Sequence, residues 1–463
     1  MRVSAAAPQP RLAEPVALAA AVLVAVVAAA FGASEERALL LAVFAVAAAL
    51  SLCGTALALP AYLATTFGNP PPIPGVEVSG SQLAAAMLLL AAGADAWRGL
   101  LRPRWSIAAS LLVLFTVYVL VSSWFLRPPG LPYYYQPGFY LVIALVTAAR
   151  AWDAEWRHRV LGALFAVSCL YALGGVYEKL TGTDLTWEGA TPVGSWHRIN
   201  GLSRDAIQFA FLGGYALLAG GYLIVSLRSR VLRCAVAAGC ALLAYSILIT
   251  LNRQTPLVLA VAGSVFLVLC RSRLRPWLLA GGLAAALLAA PVFGPKIAGR
   301  FSRVTVLSQD HSLAIRHDKL LIAAEVVKAH PWLGLGNFYF HTEWIRYRPR
   351  GGMVVQQYQT NPIFHMDLGY VQLLTEHGIV GTVLWFAMAA AMALAWWRTR
   401  WWAALTGDAE LLNATALVAA LLVQMLVTMV VSAPHGAPRA LMLWGLLLAL
   451  DGAAMAARES AAA

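Results

Sequence analysis

Apolar residues come along this chain in long unbroken blocks divided by short polar stretches. Blocks at 15–33, 105–126 and 411–432 approach the ~20 residues that a helix needs to cross a hydrocarbon core. Followed along the whole chain, the pattern predicts spans at 15–33, 38–59, 81–97, 105–126, 138–151, 158–176, 205–227, 231–250, 254–270, 276–293, 368–396, 411–432 and 437–455. One long interval, 294–366, interrupts the series. Within it Leu313, Leu320, Ala324 and Val327 recur at helical spacing, with Arg316, His317, Asp318, Lys319 and Lys328 on the remaining surface. That spacing predicts a helix over 312–329, lying on a membrane surface or packed over a helical bundle. The chain thus divides into N-terminal helices (1–293), a long loop (294–366) and C-terminal helices (367–463), one membrane domain overall.

Composition agrees. Hydrophobic residues make up 61% of the chain and charged residues 12%, against about a quarter charged in a soluble domain; a nucleic-acid partner is not expected. The five cysteines (Cys53, Cys169, Cys234, Cys240, Cys270) lie in or beside apolar spans with no Cys-x-x-Cys spacing, and read as small buried hydrophobes. Arg2 and Arg11 precede the first apolar run as in a signal peptide. A dozen spans follow without a cleavage site, so an uncleaved first helix is expected.

Charge orients the bundle. Arginine-rich short loops at 98–104, 150–159, 228–233, 271–275 and 398–400 belong in the cytoplasm by the positive-inside rule. Thirteen full spans would then put the N-terminus outside, against Arg2 and Arg11. One of the first three segments is therefore expected to fall short, the proline-rich stretch 69–76 marking an irregular connection. The expected fold is an all-α integral membrane bundle of about twelve transmembrane helices, both ends inside, with a long outward loop containing helices.

The outward loops carry the chemistry. Residues 294–366 hold nine lysines and arginines against Asp310, Asp318, Glu325 and Glu343. Such a surface suits anionic head groups or a site for an anionic substrate. Arg253 stands in Thr250-Leu251-Asn252-Arg253-Gln254-Thr255-Pro256, a tight turn between two spans. An ionisable group so placed usually has a partner or ligand, and a guanidinium fork matches phosphate oxygens. Arg198 and Arg204 precede the span at 205, where Asp205 could cap the first turn; both suit either an anion or an interfacial anchor. His365 stands just before the helix predicted from 368, with Asp367 as its expected N-cap. A neutral imidazole among arginines could take a proton from a hydroxyl near neutral pH.

The order of these features resembles the O-antigen ligase and polymerase superfamily of bacterial membrane glycosyltransferases. Carrying the resemblance are the Arg253 turn, a loop opening Asp310-x-Ser312-x-x-x-Arg316, and the run His330-Pro331-x-x-Gly334-x-Gly336. His365 before a helix and Glu376-x-Gly378-Ile379-x-Gly381 complete it. It covers roughly 190–400. The resemblance implies a metal-independent inverting glycosyltransferase of the bacterial inner membrane, without a cofactor and with its active site facing the periplasm. It implies an undecaprenyl-diphosphate-linked glycan as donor, and lipid A-core or a growing glycan as acceptor. Arg253 and Arg316 would hold the diphosphate, with Arg198 and Arg204 as further contacts, and His365 would activate the acceptor. The chain departs from the family at Met366, where an Asn is frequent, and around Arg198, where the motif is half matched. The single capping loop favours a ligase over a polymerase. A lipid-linked sugar transporter fits less well, because its charges would lie near mid-membrane. Nor is a metal-dependent transferase using Glu35 and Glu36 favoured, since that pair reads as a polar turn.

Overall fold

The computed structural model describes residues 80–101, 106–126, 136–150, 154–182, 206–250, 254–284, 311–336, 343–347 and 368–431, with shorter pieces within 54–62, 192–199 and 287–294 and at Asn252. The helices are α1 (Gly80–Trp97), α2 (Ile107–Leu126), α3 (Gln136–Arg150), α4 (Ala154–Thr181), α5 (Ala206–Ser226), α6 (Arg230–Ile249), α7 (Gln254–Leu269), α8 (His311–Ala329), α9 (Gly369–Thr406) and α10 (Ala409–Val431). Stretches in α2, α4, α5, α6, α9 and α10 are long and apolar enough to cross a membrane. The protein is an all-α membrane protein. Among the described residues the sole strands are β1 (Pro192–Val193) and β2 (Trp196–His197), an antiparallel hairpin pairing Pro192 with His197 and Val193 with Trp196. The spans expected at 15–33, 38–59, 276–293 and 437–455 lie wholly or partly outside the described residues.

The chain forms two compact units: Met1–Arg102 with Asp153–Val167, and Pro103–Trp152 with Ser168–Ala463. In the first, Asp95 is buried in α1 and accepts from Thr55 N–H (3.2 Å) and Thr55 Oγ1 (2.6 Å). Trp156 Nε1 donates in turn to Thr55 Oγ1 at 3.0 Å. The buried carboxylate thus has two donors on Oδ2, and Arg98 Nη1 lies 3.9 Å from Oδ1, so the charge is not left unpaired.

The second unit is built around α10, which packs against α5, α7 and α9. Its sequence is apolar all round, as a central helix demands, and Ala416, Leu417, Ala420, Leu421 and Met425 are all buried. Gly407 (φ 69°) ends α9 in the left-handed conformation and Asp408 Oδ1 accepts from Leu411 N–H at 3.0 Å, so the chain reverses directly into α10. Near this reversal Arg400 donates to Leu269 O (2.7 Å), Thr415 Oγ1 (3.1 Å) and Leu412 O (3.3 Å). Asn413 Oδ1 accepts from Arg271 N–H at 3.0 Å, and Tyr222 Oη donates to Glu410 at 2.7 Å. These bonds gather α5, α7, α9 and α10 at one end, called here the basic end after Arg228, Arg230, Arg271, Arg273 and Arg400.

Gln424 of α10 is fully buried, and neither atom of its amide has a hydrogen-bond partner among the described residues. Gly214 of α5 makes room for it, since a Cβ there would lie 2.6 Å from Gln424 Nε2. Leaving a buried amide unpaired costs about 1–3 kcal/mol. Gln424→Leu is therefore expected to raise the thermal unfolding midpoint of the detergent-solubilised protein. A lowered midpoint would mean that the amide has a partner in solution.

The α9 segment is not one straight helix. Gly378 has φ 62° and ψ −168°, and the chain breaks there. Tyr370 stacks on Phe386 (ring centroids 5.9 Å apart) and meets Trp385 edge-on at 6.0 Å, where a straight helix would separate residues 370 and 385 by about 22 Å. The arm 369–377 folds back beside the arm 379–406. Tyr370 Oη donates to Leu426 O at 3.2 Å, and Gly369 lies against Met429, so close that a Cβ would be 3.1 Å from its Cα. Measured at 1.5 Å per residue from the Arg400 clamp, Met429 is about 21 Å out along α10, and Gly378 about 33 Å out along α9. The sequence pattern predicts a helix running from 368 straight into the bundle; instead the chain first climbs from Gly369 to Gly378 and then turns inward.

Candidate functional site

The break at Gly378 leaves backbone groups of both arms without helical partners, and a buried helix end needs them paired. The turn after α8 supplies the partners. Leu335 N–H donates to Thr375 O (2.9 Å) and Gly336 N–H to Glu376 O (2.8 Å); Ile379 N–H donates to Pro331 O (2.8 Å) and Val380 N–H to Trp332 O (3.2 Å). Such close backbone contact excludes side chains. A Cβ on Gly334 (φ 69°) would lie 2.5 Å from Glu376 C, and one on Gly378 would overlap the Trp332 carbonyl. Two motifs separated by forty residues of chain, His330-Pro331-x-x-Gly334-x-Gly336 and Glu376-x-Gly378-Ile379-x-Gly381, are therefore the two halves of one joint.

His377 is buried inside this joint. Its ring meets Phe115 of α2 edge-on at 5.9 Å, its carbonyl accepts from Tyr118 Oη at 2.6 Å, and a Cβ on Gly381 would lie 2.5 Å from its own Cβ. It is a packed core residue. Glu376 is also buried and accepts from Gln372 Nε2 at 3.1 Å.

The joint holds α8 against the first arm of α9. Ile322, Ala323 and Val326 of α8 form a core with Leu335 and Trp344, and Tyr347, Leu368 and Val371 pack against it. Trp344 and Tyr347 belong to a single 3-10 turn, Trp344–Tyr347, and His330 Nε2 and Tyr347 Oη share a hydrogen bond of 2.7 Å. Lys328 and Glu325 pair on the surface at 2.6 Å, and the exposed Arg346 reaches the largely buried Glu343 at 2.7 Å.

The face that α8 turns inward differs from the one its sequence suggests. Leu320 (42% exposed) and Ala324 of the expected apolar stripe face outward, while Lys319 (4%), Ile322, Ala323 and Val326 face inward. Residues 320–324 are all apolar, so the stripe can be drawn along either side. Packing against Leu335 and Trp344 selects the side that includes Lys319. Arg316, one turn earlier, flanks the same face; its Nε is buried and has no hydrogen-bond partner among the described residues. A guanidinium with an enclosed, unused donor is equipped to hold an anion. Lys319 thus joins the candidate site, although helical spacing alone places it on the outer surface.

Four of the expected site residues, His365, Arg253, Arg198 and Arg204, lie outside the described residues, as does Asp205. Their neighbours are described. Asn252 Oδ1 accepts from Gln254 N–H at 2.9 Å and so starts α7 directly after Arg253. Ile199, next to Arg198, is buried beside Gly175 of α4 and Phe209 of α5. The N-cap of α9 is Leu368 (φ −114°, ψ 107°), which makes no side-chain cap, and not Asp367. Burial of Leu368 against the α8 core sets that start.

Residues 238–386 match the model of a family described as O-antigen ligase. This stretch is similar to the O-antigen ligase and polymerase superfamily. The match includes the Arg253 turn, α8, both halves of the joint and His365, and leaves out 191–208, where Arg198 and Arg204 lie. No curated protein matches the chain.

Proposed function

We propose that the protein transfers a glycan from undecaprenyl diphosphate to a sugar hydroxyl, as an O-antigen ligase with lipid A-core as acceptor. It would work at the periplasmic face of the bacterial inner membrane, within a bundle of about twelve helices capped by the loop 294–366. The observation that carries this reading is the inward cationic edge of α8. Arg316 and Lys319 stand on the side of α8 that packs toward Leu368, and His365 is three residues upstream, within about 10 Å of chain. A cation for a diphosphate and a base for a hydroxyl are thereby tethered to one small region.

In the proposed step His365 takes the proton of the acceptor hydroxyl as its oxygen attacks the anomeric carbon. The bond from that carbon to the diphosphate oxygen breaks, and the diphosphate leaves with the electron pair, which inverts the configuration. Arg316 and Arg253, with Arg198 and Arg204 beyond them, stabilise the charge growing on the leaving group; fixed donors in a water-poor site do this well. No metal is required. A polymerase of the same superfamily would use the same step with a growing glycan as acceptor. The ligase reading is preferred for the single capping loop.

The test replaces Arg316 with Lys, which keeps the charge and loses the fork. In vitro transfer by Arg316→Lys is expected to fall at least about tenfold, because charge-assisted hydrogen bonds are worth about 1.5–3 kcal/mol, while the wild type works in excess EDTA. Full activity of Arg316→Lys, or wild-type activity lost to EDTA and restored by magnesium, would overturn the assignment of the leaving group to arginine.

A further inference from the structure

The joint that closes its backbone inward turns side chains outward. Trp332 is 65% exposed and Leu333 42%, while Ile379 and Val380 are 39% and 37% exposed. The bonds from Ile379 N–H to Pro331 O and from Val380 N–H to Trp332 O hold these side chains in one patch. The patch does not end there. Val383 (60%) and Phe386 (50%) follow on α9, and positions 379, 380, 383 and 386 share one helical face. The second arm of α9 has the length and hydropathy of a membrane span, so an exposed apolar stripe along it faces acyl chains. A patch continuous with that stripe lies against the same solvent.

We propose that the Trp332–Leu333 turn is seated in the bilayer, with the Trp332 ring at the lipid–water boundary and Leu333 beside the acyl chains. Amphipathic aromatic rings collect at that boundary, and Trp332 stands at a helix end with Lys328, its side chain 71% exposed, one turn before it. Lys328 and Glu325, paired at 2.6 Å, mark the polar side of that boundary. The seat holds the C-terminal end of α8 at head-group height, the level at which the diphosphate of any membrane-anchored substrate must lie. The inference rests on α9 being a membrane span and not on the transferase reading.

The test uses the full-length protein with its five native cysteines replaced. Single cysteines at Leu333→Cys, Trp332→Cys and Lys328→Cys are labelled with a small fluorophore in nanodiscs of phosphatidylethanolamine and phosphatidylglycerol. Lipids spin-labelled near the head group are expected to quench the labels at 333 and 332 several-fold more strongly than aqueous iodide does, and the label at 328 in the opposite order. Quenching of 333 and 332 by iodide alone would place the turn in water. Quenching by neither agent would place it under protein, and either result overturns the seat. A labelled variant that does not elute monodisperse is judged by its neighbour at 332 or 333, which reports on the same turn.

Discussion

Gly378→Ala is expected to yield a protein that neither unfolds at the wild-type temperature nor transfers glycan. Two costs combine at this position. The backbone lies at φ 62° and ψ −168°, a region open essentially to glycine alone, where other residues pay about 1–3 kcal/mol. The new Cβ would also overlap the Trp332 carbonyl. That neighbour is backbone, and it is engaged with Val380 N–H at 3.2 Å, so it cannot swing aside as a side chain would. Overpacking of this kind costs about 1–3 kcal/mol more, and relief requires parting the two halves of the joint. The loss should then spread to α8, because Leu335 belongs both to the joint and to the α8 core. Gly334→Ala should behave alike, since φ there is 69° and the obstruction is again backbone. Gly263→Ala in α7 is the control: nothing lies within 4 Å of the point where the new methyl would stand, and alanine favours a helix over glycine by about 1 kcal/mol. Unfolding midpoints in detergent and product formation in vitro decide the matter. Wild-type values for Gly378→Ala would show that the break in α9 and its docking do not exist in solution.

The contrast between Gly378 and Gly263 explains what can be read from the sequence and what cannot. A span is legible because hydrocarbon demands about twenty apolar residues in a row; α2, α5, α6, α7 and α10 begin and end within a few residues of their expected limits. A glycine inside an apolar run carries no such signature. Gly263 sits in an unbroken helix and Gly378 reverses one, and the difference arises from Gly334 and Gly336 far upstream in the chain. The motif spacing marks both glycine pairs as unusual but not as partners of each other. The inward face of α8 is hidden for a related reason. Five consecutive apolar residues, 320–324, leave the helical phase open, and Leu335 and Trp344, which settle it, come from later in the loop. The role expected of Arg316 rests on its place in the motif and not on helical phase. The burial of Lys319 is not legible, since a buried lysine is recognised only once the buried face is known. Gln424 gives no signal either: one amide in an apolar helix looks the same whether it meets a partner or only Gly214.

The second large effect belongs to His365→Ala, which is expected to lower transfer by about 10²–10⁴-fold, the usual contribution of a positioned general base, in a protein that still folds. Folding should survive because the described core of this region is made by Ile322, Ala323, Val326, Leu335 and Trp344, with Leu368 against it. Donor binding should survive too, because the proposed grip on the diphosphate comes from arginines. The loss should therefore fall on kcat and leave the donor KM nearly unchanged, whereas Arg316→Lys should raise the donor KM. Four other histidines give the comparison its force. His377 is packed against Phe115 and Tyr118, and His330 is bonded to Tyr347, so alanine at either should cost stability before activity. His341 and His435, expected from the sequence to face outward, should tolerate alanine well. The measurement is product formed per mole of monodisperse protein for all five variants, with donor binding measured separately. If His365→Ala retains near-normal kcat while His341→Ala or His435→Ala abolishes it, the base is a different histidine. If none of these three changes kcat, none of the three takes the proton, and the role proposed for His365 fails.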